Sequence, residues 1–182
     1  MTELDSELER VINGCLKNNR QSQKQLYEMF ASRMFVVCRR YANSVAEAED
    51  MLMEGFMNVF RNLSSYKGES RFDTWIYSVM VKSAISHYRS VRRFRNEVSL
   101  DDWEADELVN SGEAIYAGLD AAKVMTLMEQ MSDTLRMAFN LREIEGYDFA
   151  EIAKMLGKKE SAVRVAYMRA KRWLQNSLGS ER

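Results

Sequence analysis

Leu4, Leu8, Val11, Ile12, Cys15 and Leu16 recur at helical spacing, and Leu26, Phe30, Met34, Val37 and Tyr41 repeat the pattern, predicting two amphipathic helices. Ala48, Met51, Leu52, Phe56, Val59 and Phe60 form a third apolar face, ringed by Glu47, Glu49, Asp50 and Glu54. A fourth helix is expected from about Arg71 to about Arg93. Ser22 with Gln25, Ser44 with Glu47, and Ser70 with Asp73 fit the capping box, in which a hydroxyl accepts an early amide proton and the third residue reaches back. They mark three expected helix starts. Further on, Val124 to Ile144 reads as one amphipathic helix stopped by Gly146; Asp148 with Glu151 opens another that closes at Gly157, and a last helix runs from about Glu160 to about Leu178. Residues 96–118 lack sustained periodicity.

Composition narrows the fold class. The 182 residues include no Pro, 8 Gly and 13 Met, with many Ala, Leu, Arg and Glu, so the turns of a β-rich domain are missing and an all-α chain is expected. Net charge is -1, but it is unevenly placed: residues 1–95 carry 15 Lys and Arg against 11 acids, residues 96–120 none against eight, and residues 121–182 carry 11 against eight. Two small helical domains, 1–95 and 121–182, are thus expected around an acidic flexible linker, 96–120.

Several function classes fall away. Cys15 and Cys38 lie far apart and outside any ligand spacing, so both read as buried, reduced thiols. No stretch approaches the ~18 apolar residues that span a bilayer, and the polar start MTELDSELER is unlike a secretory signal, so a cytoplasmic protein is expected. With a single histidine, His87, and no HExxH, Ser/His/Asp order or phosphate-binding glycine loop, the chain offers no parts for catalysis, a cofactor or a metal. Its acidic third helix reads instead as an exposed face able to dock a basic partner.

Two constellations carry binding chemistry. Residues 147–174 (YDFAEIAKMLGKKESAVRVAYMRAKRWL) have the lengths of a helix-turn-helix, whose second helix enters the DNA major groove. Ile152, Ala153 and Leu156 are expected to pack on Val163, Tyr167, Ala170 and Leu174, leaving Arg164, Val165, Met168 and Arg169 on the opposite side. An arginine there can pair with a guanine edge, while Lys158, Lys159, Lys171 and Arg172 neutralise phosphates. On the fourth helix, Arg71, Trp75, Ser78, Lys82, Ser86, Arg89 and Arg93 share one narrow sector, and Arg92 adds to its charge. An aromatic beside a row of cations is the pattern of single-strand capture.

These residues resemble a bacterial RNA polymerase sigma factor of the sigma-70 family, of the short extracytoplasmic-function type. AEAEDMLMEGFMNVFRNL (residues 46–63) is similar to the core-polymerase-binding helix, YKGESRFDTWIYSVMVKSAISHYRSVRR (66–93) to the -10 melting and recognition segment, and residues 131–174 to the -35 reading domain. The resemblance implies that Glu49, Asp50, Met51, Leu52, Glu54 and Phe56 bind core polymerase, at the clamp helices of the largest subunit. Arg71, Trp75, Lys82, Ser86, Arg89, Arg92 and Arg93 would hold the single-stranded -10 element. Lys158, Lys159, Arg164, Val165, Met168, Arg169, Lys171 and Arg172 would read the double-stranded -35 element, beside the flap of the second-largest subunit. It also implies an acidic linker threading towards the active-site cleft and an anti-sigma factor as partner, often membrane-bound. The chain departs from the family pattern at Met131-Ser132, where Leu-Pro is usual, at Lys82 and Ser86, where Asn and Asp are common, and at Val165-Ala166 in place of Ser-Arg. The last change leaves apolar contact, for example with a thymine methyl. The alternative is a free-standing helix-turn-helix regulator with an N-terminal sensing or dimerisation domain.

Overall fold

The computed structural model describes residues 3–94 and 126–179, with side chains for residues 6–91 and 126–178; the acidic segment 96–120 lies outside the described residues. Contacts divide the chain into two units, Met1–His87 and Tyr88–Arg182. Among the described residues the regular structure is helical throughout.

The first unit holds α1 (Glu3–Leu16), α2 (Arg20–Tyr41), α3 (Val45–Asn62), a short 3-10 turn (Leu63–Ser65) and most of α4 (Phe72–Phe94). Its core takes Val11, Ile12 and Cys15 from α1, Leu26, Phe30, Met34 and Val37 from α2, Ala48, Met51, Leu52, Phe56 and Val59 from α3, and Phe72, Ile76 and Met80 from α4. Each large apolar side chain buried there contributes about 1.5–3 kcal/mol against exposure, which is what holds otherwise marginal helices together. Gly55 lets α3 come close to α4: a Cβ there would stand 2.2 Å from the sulfur of Met80.

Three details differ from the sequence expectation. α4 begins at Phe72, and its first bonds run from the Thr74 and Trp75 amides to the Arg71 carbonyl at 3.0 and 3.2 Å, one residue past the expected Ser70 cap. α2 starts a turn earlier than Ser22, because Asn19 is its cap and its side-chain oxygen accepts the Ser22 amide proton at 3.0 Å. An amide side chain satisfies the first-turn donors as well as a hydroxyl does, so the nearer polar residue did not decide. Leu16 is 47% exposed and falls off the apolar face of α1. The cap at α3 is as expected: Ser44 Oγ accepts from the Glu47 amide at 3.1 Å, while Glu47 Oε2 takes the Asn43 amide at 2.7 Å.

In the second unit residues 126–129 are helical, followed by α5 (Asp133–Phe139), a π turn (Asn140–Ile144), α6 (Phe149–Leu156) and α7 (Glu160–Gly179). The single helix expected over Val124 to Ile144 is therefore interrupted at residues 130–132, and Ser132 takes the cap position of α5. The widened turn that follows closes through a Glu145 amide bonded to the Asn140 carbonyl, five residues back, at 3.0 Å. α7 packs on both α5 and α6, so the unit is built around it. Inside, Arg136 is 1% exposed and donates to Asp133 at 2.6 Å, which offsets part of the cost of its burial.

Candidate nucleic-acid and polymerase interfaces

The turn between α6 and α7 is set by local chemistry. Asp148 accepts from the Glu151 amide at 2.7 Å and Glu151 accepts from the Asp148 amide at 2.9 Å, a complete capping box. At the other end Gly157 stands in the left-handed region (φ 65°), where a side chain would be strained, and Lys158 N–H bonds the Ala153 carbonyl at 2.9 Å. Ile152, Ala153 and Leu156 are buried, as are Val163, Tyr167, Ala170 and Leu174, so the helix-turn-helix packs on the expected stripe.

The outward side is narrower than the sequence suggested. Lys158, Lys159, Arg164 and Arg172 are exposed, while Met168, Arg169 and Lys171 are half-buried. Val165 is only 6% exposed and Ala166 is fully buried. The expectation that Val165 offers an apolar contact to a base is thereby corrected: its side chain is buried in the structure. Arg164 is held in place. Its Nε and Nη2 donate to one oxygen of Glu160 at 3.0 and 2.6 Å, and its guanidinium lies 4.5 Å from the centroid of the Phe149 ring. Lys171 lies 5.7 Å from the ring centre of Tyr167.

On the first unit, α4 forms one wall of a groove of about 380 Å³ with Trp75, Ser78, Lys82 and Ser86. The sequence had placed these residues in one sector; the opposite wall, Asn58 and Asn62 of α3 with Ser65, it had not identified. Asn58 is braced, donating to Ser83 Oγ at 2.9 Å and accepting from Arg61 at 2.6 Å. Their i, i+4 spacing on the polar side of α3 was the available signal. Trp75 is half-buried, with Tyr66 and Phe72 each 5.5 Å away between ring centres. Arg71 is turned elsewhere, donating to Asp73 at 3.1 Å beside a separate hollow that includes Leu8 and Glu9. Arg89 is exposed further along α4; the side chains of Arg92 and Arg93 lie outside the described residues.

The third surface is α3. Glu49 and Asp50 are exposed, but Met51, Leu52 and Phe56 are 3, 6 and 2% exposed. Those three are core residues and are corrected as candidate polymerase contacts: an apolar stripe at helical spacing faces the protein's own interior. The apolar groups that α3 does present are Met53 and Met57, 57 and 58% exposed, on the sector of Glu49 and Asp50. Glu54 is occupied by His87, whose Nδ1 lies 3.1 Å from it, and Glu47 lies 3.6 Å from the other ring nitrogen.

Other chemistry is sparse. Cys15 and Cys38 are free and buried, and burial pushes the Cys38 thiol up to about 12, which makes it a poor nucleophile. Among the described residues no group of side chains could hold a metal ion, and no helix is long and apolar enough to cross a membrane.

Comparison with known proteins agrees with this layout. The family model for Sigma-70 region 2 matches residues 26–94, and that for Sigma-70, region 4 matches residues 121–174. The RNA polymerase sigma-H factor of Pseudomonas aeruginosa is 28% identical over 148 residues, covering 76% of this chain and 77% of the relative. The ECF RNA polymerase sigma-E factor of Escherichia coli K12 is 25% identical over 171 residues, 89% of each chain. In fold, the chain is similar to the sigma factor RpoE of Bartonella quintana, solved in complex with the anti-sigma factor NepR, at a TM-score of 0.50 and 21% identity over 87% of this chain and 98% of that one. With a region 2 carrying a basic and aromatic groove and a region 4 carrying a helix-turn-helix, in that order, the chain belongs to the sigma-70 family of RNA polymerase sigma factors, extracytoplasmic-function type.

Proposed function

We propose that this sigma factor divides promoter-specific initiation among its three surfaces. Glu49, Asp50, Met53 and Met57 on α3 dock core polymerase at the clamp helices of its largest subunit, the acids setting the approach to a basic partner and the methionines supplying apolar contact. The groove between α3 and α4 holds the opened -10 strand. Trp75 offers a ring on which a base can stack, worth about 1–3 kcal/mol per base, and Lys82 and Arg89 supply cations for the backbone. That gain offsets the few kcal/mol it takes to unstack a base. Arg164 with Arg169 reads the -35 duplex from α7, near the flap of the second-largest subunit, while Lys158, Lys159, Lys171 and Arg172 chiefly meet phosphate.

The observation that carries this reading is the placing of Trp75, Ser78, Lys82 and Ser86 along one open groove, separate from the packed face of the same helix. A free-standing regulator would need its N-terminal half for sensing or pairing, and a sigma region 2 over residues 26–94 favours the initiation role. The acidic segment 96–120, with eight acids and no base, suits a basic channel leading to the active site. The chain acts in the cytoplasm, with core polymerase and promoter DNA as partners, and has no catalysis, cofactor, metal or small-molecule substrate of its own. The relative from Bartonella quintana was solved with an anti-sigma factor, and that class of partner, including members anchored in a membrane, is extended to this chain. Permanganate reactivity of promoter thymines tests the groove: holoenzyme with the native chain should open the -10 region, and a chain carrying Trp75→Ala with Lys82→Ala should bind core but open it poorly.

A further inference from the structure

Arg164 stands on the exposed side of α7, yet its side chain is not left to wander. Glu160, one turn earlier, takes its Nε and one Nη2 proton. The guanidinium plane is close to Phe149, with 4.5 Å from its carbon to the ring centroid. Phe149 is the first residue of α6, so its backbone is set by the capping box of Asp148 and Glu151. Its ring is supported in turn: Tyr167 meets it edge-on at 5.4 Å between centroids, and Tyr167, 9% exposed, donates its hydroxyl proton to Glu143. Arg142 also lies over the ring, 4.8 Å from its centroid, and is tied to the Tyr147 carbonyl at 3.0 Å.

We infer that Phe149 is a positioning residue for DNA reading: its ring, with Glu160, holds the guanidinium of Arg164 in one orientation before DNA arrives. The inference rests on the reading of α7 as the -35 recognition helix. Chemistry supports the orientation. An arginine has five N–H donors; with Nε and one Nη2 proton on Glu160, both Nη1 protons and one Nη2 proton remain, and one from each nitrogen makes the end-on pair that matches a guanine edge. A ring face attracts the cation without using any of those donors. A side chain already ordered loses less freedom on binding, so the gain appears in affinity and in selectivity at the base that Arg164 meets.

The test uses holoenzyme reconstituted from core polymerase and the full chain. Its probe is a duplex -35 element selected by the native holoenzyme from a randomised pool. Phe149→Leu, and Phe149→Met as a second apolar replacement without a ring, should weaken binding about 2- to 5-fold, the range of an exposed cation-ring contact. They should relax selection at the same base position that Arg164→Ala relaxes, and Phe149→Tyr should restore both. In an Arg164→Ala background, Phe149→Leu should change nothing further. Equal losses from Phe149→Leu in both backgrounds would overturn the positioning role and leave Phe149 as packing alone. Undiminished binding and selection by Arg164→Ala would instead overturn the reading of Arg164 as a DNA contact, and the inference with it.

Discussion

His87 of α4 is joined to Glu54 of α3, its Nδ1 lying 3.1 Å from a carboxylate oxygen, and this contact sorts the acids of α3 into two kinds. Glu54 and Glu47 face His87 and tie the two helices, whereas Glu49 and Asp50 are exposed and have no such task. His87→Ala should therefore lower the stability of the first unit by about 1 kcal/mol, since these groups are partly exposed and screened by water. Urea denaturation followed by circular dichroism would measure it. Charge reversal at Glu49 and Asp50 should leave that stability nearly unchanged and weaken competition for core polymerase. Met53→Glu with Met57→Glu should do the same. If the reversed protein competes for core as well as the native chain, the docking surface is not on α3.

The groove predicts a different defect. Lys82→Ala and Arg89→Ala should reduce open-complex formation more than core binding, and the loss relative to the native chain should shrink as salt rises, because screening weakens in the native chain the phosphate contacts that the variants lack. Trp75→Ala should reduce opening with little change in salt slope, since stacking is not a charge interaction. Equal salt slopes for all three variants would mean that Lys82 and Arg89 do not meet the backbone.

On α7, Val165 and Arg164 are neighbours with opposite expected phenotypes. Val165→Ala removes buried methyl groups and should destabilise the second unit by about 1–2 kcal/mol while preserving the selected -35 sequence. Arg164→Ala should leave the melting temperature nearly unchanged, cost about 1–3 kcal/mol in binding and relax preference at one base. Thermal melts combined with binding selection on both variants separate the two roles.

Where the determinants are local, the sequence was readable. Asp148, Glu151 and Gly157 announce the start and end of α6 within nine residues of one another, and the structure places all three in those roles. The groove was half legible, because periodicity orders Trp75, Ser78, Lys82 and Ser86 along one helix but says nothing of which helix lies opposite. Asn58 and Asn62 join it only through the crossing of α3 and α4. On α3, Met51, Leu52 and Phe56 form the most regular stripe, and the most regular stripe packs inward, so periodicity alone does not mark an apolar contact surface. Val165 stands opposite the packed stripe by periodicity and is nevertheless buried, which the pattern of one helix does not foretell.

Cys38 gives a pH prediction. Burial raises its thiol from the ordinary value of 9.0 to about 12, so the folded chain keeps a proton that the unfolded chain releases. The stability tied to this difference is complete below pH 9 and is lost as pH rises towards 12. Cys38→Ala should flatten that decline in urea denaturation between pH 8.5 and 10.5, relative to the native chain over the same interval. An identical decline in both proteins would assign it to other groups.

Run-off transcription with purified core polymerase tests the central claim most directly. Using templates cut from the chain's own genome, transcripts with defined starts should appear when the full chain is added, be lost when Glu49 and Asp50 are both reversed, and be lost when the -35 element is scrambled. The same transcripts, in the same yield, from core polymerase alone would contradict a role in promoter-specific initiation.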